Sequence, residues 1–211
     1  MNPKLARLFR DIDRKSKACL NDSVAMLHQD VPAHALALLF EKAQSYADTF
    51  VSRQPSDSAP PDLVEVYKAA TDRYEKAAQN FSSQWFRKVN ELVAARYEQF
   101  DDDPTLMERL NAEHGARVAA GAIGASEESD WLVSRIAHCK LTLDCYAADK
   151  PLTPGERQQV IKVIKGEIDA DRERRERWQA ADAHPHPAML SELLSEGLQE
   201  LLTRVASPPS N

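Results

Sequence analysis

Apolar side chains recur along most of this chain at steps of three and four, the period that gives a helix one greasy face. The longest such run, Asp62 to Phe100, contains no Gly or Pro over 39 residues. At a rise of about 1.5 Å per residue it predicts a single helix nearly 60 Å long. Leu63, Tyr67, Ala70, Tyr74, Ala77 and Phe81 keep the alternation of four and three that marks a coiled-coil seam. Continuing that period would bring Gln84 inside. Trp85, Val89 and Leu92 follow instead, so the stripe is expected to shift by one position, as a stutter shifts it. A second line, Phe86, Val93, Tyr97 and Phe100, places the densest core in the C-terminal half of this helix.

Six further helices are expected around it. The first opens near Pro3 and runs to about Gln29, with Leu5, Leu8, Phe9, Ile12, Cys19 and Leu27 on its inner side. Pro32 starts the second, whose face is Leu36, Leu39, Phe40, Ala43, Ala47 and Phe50. Asp103 and Pro104 read as the N-cap and first-turn pair of a fourth helix ending at the Gly121 to Gly124 break, and Ser126 as the cap of a fifth. The fifth carries the seam Leu132, Ile136, Cys139, Leu143 and Tyr146. Thr153-Pro154-Gly155-Glu156 is a capping box with Pro at the first helical position, the best-specified helix start in the chain. The sixth helix then passes into Asp169 to Arg177, nearly all charged and expected to be solvated. Ala183-His184-Pro185-His186-Pro187 breaks it. The seventh presents Leu190, Leu193, Leu194, Leu198, Leu201, Leu202 and Val205 on one broad face, with Glu192, Glu196 and Glu200 turned away.

The fold class that follows is all-α: an elongated bundle of about seven helices built around one long central helix. Residues 1–206 are expected to form one domain, with the first two helices (3–51) hinged at the Pro/Ser-rich linker 52–61 and a frayed tail at 207–211. With 211 residues, 43% of them apolar, a core can form without staples, and only six glycines leave little that reads as strand.

Charge and chemistry narrow the function classes. A net charge of −6 weighs against a surface built throughout to grip nucleic acid or acidic lipid. Three scattered cysteines suit a reducing compartment, and no apolar run reaches the roughly 20 residues of a membrane span, so the cytoplasm is the expected location and no membrane partner is expected. Glu-x-x-His, His-Glu-x-x-His, the phosphate loop Gly-x-x-x-x-Gly-Lys, Gly-x-Gly-x-x-Gly and Gly-x-Ser-x-Gly are all missing. No cofactor or metal is therefore expected. His184 and His186 with His138 or Cys145 offer the right donors for a metal, but they lie in a Pro-spaced connector and at unrelated helical positions.

Arg109 and His114 have the spacing by which some all-helical ribonucleases place a phosphate-binding Arg beside a proton-transferring His. Arg177 and His184 share it, and with six His in the chain such spacings arise by chance on the order of once. Arg7, Arg10, Arg14 and Lys17 line one side of the first helix and could meet phosphates or an acidic partner, although Asp11 and Asp13 dilute their field. The reading the sequence favours is a non-catalytic protein-protein interaction module, of an adaptor, regulatory, chaperone-like or toxin-neutralising kind, that buries apolar helix faces. Its expected contact residues are Leu190, Leu194, Leu198 and Leu201 of the last helix and Leu63, Tyr67 and Tyr74 of the long one, and its simplest partner is a second copy, as a homodimer. The alternatives are a ribonuclease using Arg109 and His114, and a nucleic-acid binder using the basic face.

Overall fold

The structure, a computed structural model, describes residues 3–56, 58–148, 152–180 and 184–207. Among these residues there are seven α-helices and no strand: α1 (Pro3–Ala25), α2 (Ala33–Ser52), α3 (Pro61–Asp102), α4 (Leu106–Ala119), α5 (Ala125–Ala147), α6 (Pro154–Ala180) and α7 (Pro185–Ala206), with a 3₁₀ turn at Met26–His28. The expected all-α bundle and its one long helix are both present, α3 running for 42 residues. The chain divides into two compact units, residues 1–88 and 89–211, and the division falls within α3.

In residues 1–88, α1 and α3 run parallel. Asp13 pairs with Arg73, Ser23 with Asn80, and Asp30 with Lys88, a nearly constant offset along both helices. Ile12, Ala47, Ala70 and Tyr74 form a buried cluster joining all three helices, with Cys19, Phe50, Val66 and Tyr67 packed around it. Tyr74 meets Tyr46 and Phe50 at ring separations of 5.2 and 5.6 Å, and Phe50 stands edge-on to Tyr67.

The α1 stripe differs from the expected one. Ile12, Ser16 and Ser23 are its buried positions, while Leu5, Leu8 and Leu27 are exposed. The serines go inside because every hydroxyl has partners there. Ser16 Oγ donates to Asp13 O and accepts from Arg73, and Ser23 Oγ donates to Leu20 O and accepts from Asn80. Gln84 is buried too, beside Trp85, since its amide donates to Ser23 O at 3.2 Å. The stripe shifts to Trp85 and Val89 as expected, and Gln84 is buried beside it as well because α1 supplies an acceptor.

In residues 89–211, α5 and α6 both pack on α7, and α4 packs on α5. Leu132, Val133, Ala137, Cys139 and Leu143 of α5 face Leu190, Leu194, Leu198, Leu201 and Val205 of α7 in one core, to which α3 adds Val93 and Phe100. Phe86 stays exposed, so the second apolar line of α3 is only partly used, and Leu92, expected on the first stripe, is exposed as well. Gly197 sits where α7 meets α5. A Cβ there would lie 3.3 Å from Cys139 Sγ, which explains a glycine inside a helix.

Two helix starts move. α4 begins at Leu106 rather than at Pro104, because Asp103 Oδ1 accepts from both the backbone N and the hydroxyl of Thr105 and holds one further turn outside the helix. It ends as expected: Gly121, at φ +63°, lets Ala122 N reach Arg117 O and Gly121 N reach Val118 O, a Schellman closure. α5 is capped at Gly124, whose N–H donates to Glu127, rather than by Ser126. The Thr153 box forms as read, with Thr153 N donating to Glu156 Oε2 at 2.9 Å. Ala183 and residues 208–211, parts of the expected breaker and frayed tail, lie outside the described residues.

Candidate functional site

The charged stretch of α6 does not simply face water. Asp171 is 1% exposed, in the interior of residues 89–211. Its Oδ1 accepts from Ser191 Oγ of α7 at 2.6 Å and from Arg174 Nη1 at 2.9 Å, and its Oδ2 lies 3.6 Å from Arg175 Nε. A buried carboxylate costs several kcal/mol unless it is paired and hydrogen-bonded, and here one hydroxyl and two guanidinium groups compensate it (roughly that scale). Helical geometry brings this about. Positions 171, 174 and 175 share a face, and so do Ile164 and Ile168 below them.

From Asp171 the network passes through Arg174 to α5 and α4. Arg174 Nε is 3.4 Å from Glu128 Oε1, and Glu128 Oε2 accepts from His114 Nε2 at 2.9 Å. Trp131, one turn beyond Glu128, holds both partners by its ring: His114 stacks at 4.2 Å and 14°, and the Arg174 guanidinium lies 4.5 Å from its centroid. The indole N–H donates to Asn111 Oδ1 at 3.0 Å. Burial pulls Arg174 below the usual arginine range, while the charges of Asp171, Glu128 and Glu167 oppose that pull. Residues from α4, α5, α6 and α7 are thus bolted through one aromatic ring and two carboxylates.

His114 belongs to this bolt and Arg109 does not. Arg109 reaches back to Asp103 and Thr105, and its guanidinium holds the Asp103 carboxyl down to about 2. Five residues on a helix separate the two side chains by roughly 140° of rotation, so they diverge. The charge nearest the His114–Glu128 pair is Arg174. His114 itself is committed to Glu128 and packed on Trp131, an arrangement that orients a ring rather than presents it to a substrate.

The leucine face of α7 is core. Leu190, Leu194, Leu198 and Leu201 are all buried against α5 and α6, which leaves that face no area to offer a partner. Tyr74 is likewise buried inside residues 1–88, Tyr67 packs on the same cluster and Leu63 is half-buried further along the helix, so the α3 seam is spent largely on α1 and α2. The physical reason is shared: each stripe has a complementary stripe within its own unit.

What residues 1–88 leave open is one end. Leu5 and Leu8 of α1 are 40% and 45% exposed, and Val51 of α2 is 51% exposed. Parallel register sets Leu5 and Leu8 level with Leu63 and Tyr67, and antiparallel α2 brings Val51 to the same end, just past Phe50. Arg7, Arg10, Arg14 and Lys17 are exposed along α1. Lys17 is paired with Asp13 and Arg14 with Asp11, whereas Arg7 and Arg10 make no ion pair among the described residues.

Between α5 and α6 a cleft of about 280 Å³ opens over Leu194, Leu198 and Leu201, with Arg135, His138 and Glu167 on its walls. His138 stands edge-on to Phe100. Cys139 reaches the same cleft, and burial pushes its thiol up to about 11. Among the described residues no three His, Cys, Asp or Glu side chains converge to hold a metal ion; His184 Nδ1 accepts from His186 N at the start of α7, and Cys145 is exposed. No helix of the described residues is long and apolar enough to cross a membrane. No protein-family model matches the chain, and neither does any curated protein sequence or solved structure.

Proposed function

We propose that the chain is a non-catalytic helical interaction module, and that its docking surface is the open end of residues 1–88. The observation that carries this reading is the exposure of Leu5, Leu8 and Val51 beside two cations, Arg7 and Arg10, that make no ion pair among the described residues. An amphipathic helix with an acidic flank matches that surface, its apolar side covering the leucines and its carboxylates meeting the arginines. A second copy would bring Arg7 and Arg10 against their own images, so a different, acidic protein is the favoured partner over a homodimer. Three free thiols accord with work in a reducing compartment such as the cytoplasm.

The test compares wild type with Leu5→Glu/Leu8→Glu and with Arg7→Glu/Arg10→Glu, each tagged and cross-linked in the native cell. All three should melt within a few degrees of one another, because none of these side chains is among the buried core residues. The reading expects one acidic partner recovered with wild type and lost with both variants. Identical partners for all three chains, or a dimer by sedimentation that both variants retain, would remove the open end as the docking surface.

A further inference from the structure

We infer that α4 is a hinged flap, which opens as one unit while α5, α6 and α7 stay packed together. Met107 is its buried residue, Leu106, Leu110 and His114 are half-buried, and every other position of the helix is exposed. Val118, near its C-terminal end, is 48% exposed. Gly115 stands in mid-helix with open space where a Cβ would lie, so no contact compensates the helix propensity it gives up. A helix that buries so little apolar surface belongs to the low end of local stabilities, well below α5 and α7 with their shared leucine core.

The ties that hold α4 on α5 are mostly polar, and the groups left behind on α5 keep a second partner when α4 departs. Glu128 loses His114 Nε2 at 2.9 Å but retains Arg174 Nε at 3.4 Å. Trp131 loses the imidazole stacked at 4.2 Å but retains the Arg174 guanidinium 4.5 Å from its centroid. Arg117 and Glu127, paired at 2.7 Å, are each about half exposed, so that tie is weak. Breaking an enclosed pair is severe when it strands a charge, and here it strands none. His114 and Asn111 pass into water while Arg174 still backs the carboxylate. The connections at both ends allow the movement: Gly121, at φ +63°, follows the helix, and the Asp103 turn, whose hydrogen bonds to Thr105 are exposed, precedes it. Opening uncovers the Trp131 ring and the Glu128 carboxylate, an aromatic and acidic patch that α4 covers in the closed form.

This device is independent of the docking surface on residues 1–88, and native-state hydrogen exchange of the full chain in low urea tests it. The amides of residues 110–119 should share one protection factor with one shallow urea dependence, roughly a hundredfold below that of the α7 amides from Leu194 to Leu201. His114→Ala should lower α4 protection about tenfold and leave the α7 amides unchanged. Gly115→Ala, which meets nothing within 4 Å, should act in the opposite direction and raise α4 protection about fivefold. Protection in α4 equal to that in α7, protection graded from the helix ends as fraying gives, or an equal loss in both helices with His114→Ala would each overturn the flap. So would a Gly115→Ala chain whose α4 amides exchange no more slowly than those of wild type.

Discussion

The two units of this chain bury polar groups by different means. Residues 1–88 bring neutral ones inside: the hydroxyls of Ser16 and Ser23 and the amide of Gln84, each matched to a partner on the facing helix. Their charged pairs, Asp13 with Arg73 and Asp30 with Lys88, stay near water. Residues 89–211 bury the neutral Ser134 and Ser191 too, but add charges, enclosing Asp171 and Glu128 with Arg174 beside a leucine core. Neutral hydrogen bonds are individually modest and forgiving, whereas an enclosed ion becomes a liability once its partner goes. The second unit should therefore be the more brittle to single polar substitutions, and the first the more tolerant.

The sharpest way to break this contrast is Asp171→Ala. It leaves the half-buried Arg174 with Glu128 alone and Arg175 without its carboxylate, and should cost about 3 kcal/mol in urea unfolding. A loss below about 1 kcal/mol would mean that water reaches those guanidinium groups, and the difference between the units would vanish. Leu194→Ala should cost about 3 kcal/mol, as a buried leucine truncation does, whereas Leu8→Ala on the open end should stay within about 0.5 kcal/mol. Equal losses would show that Leu8 is covered in solution. Gln84→Ala tests the first unit's neutral ladder. Removing that amide leaves Ser23 O without its α3 donor, and about 1–2 kcal/mol should be lost, less than for Asp171.

Acid should sharpen the comparison further. Burial disfavours the His138 imidazolium, with the Arg135 charge adding to it, so its folded pKa lies below the ordinary 6.5. The unfolded chain then takes up the proton first. His138 contributes stability that is complete above pH 6.5 and is lost as pH falls from there toward the folded value. His138→Gln should therefore flatten the stability profile between about pH 7 and 5.5 relative to wild type. Asp103 gives the smallest effect. Its exposed carboxyl is held at about 2 by Arg109 and Thr105 against an ordinary 3.8, so its contribution is present above 3.8 and disappears as pH falls through about 2. Asp103→Asn should remove only that acid-limb increment.

Period and capping made the helices legible. The Thr153 box, the Gly121 stop and the unbroken α3 each follow from local rules that tertiary packing had no reason to override. Faces were harder. A serine looks like surface until a facing Asn or Arg satisfies it, so the α1 seam was misplaced onto Leu5, Leu8 and Leu27. Asp171 was hidden more thoroughly, inside a run of charges whose usual fate is solvent. The available signal was its shared face with Ile164 and Ile168. The breadth of the leucine face on α7 points to a partner, but α5 and α6 cover it within the chain. His114 and Arg109 were linked by spacing alone, and spacing does not say that five helical residues point two side chains apart.

Gly197 and Cys139 carry a consequence for how this sequence can drift. A methyl group at 197 would press on the sulfur, while a bare Cys139→Ala would leave a small void, so each single step is penalised. Taken together, Gly197→Ala with Cys139→Ala exchanges one volume for the other across the same crossing. Descendants of this chain should therefore change both positions or neither, a covariation written into the distance between two helices.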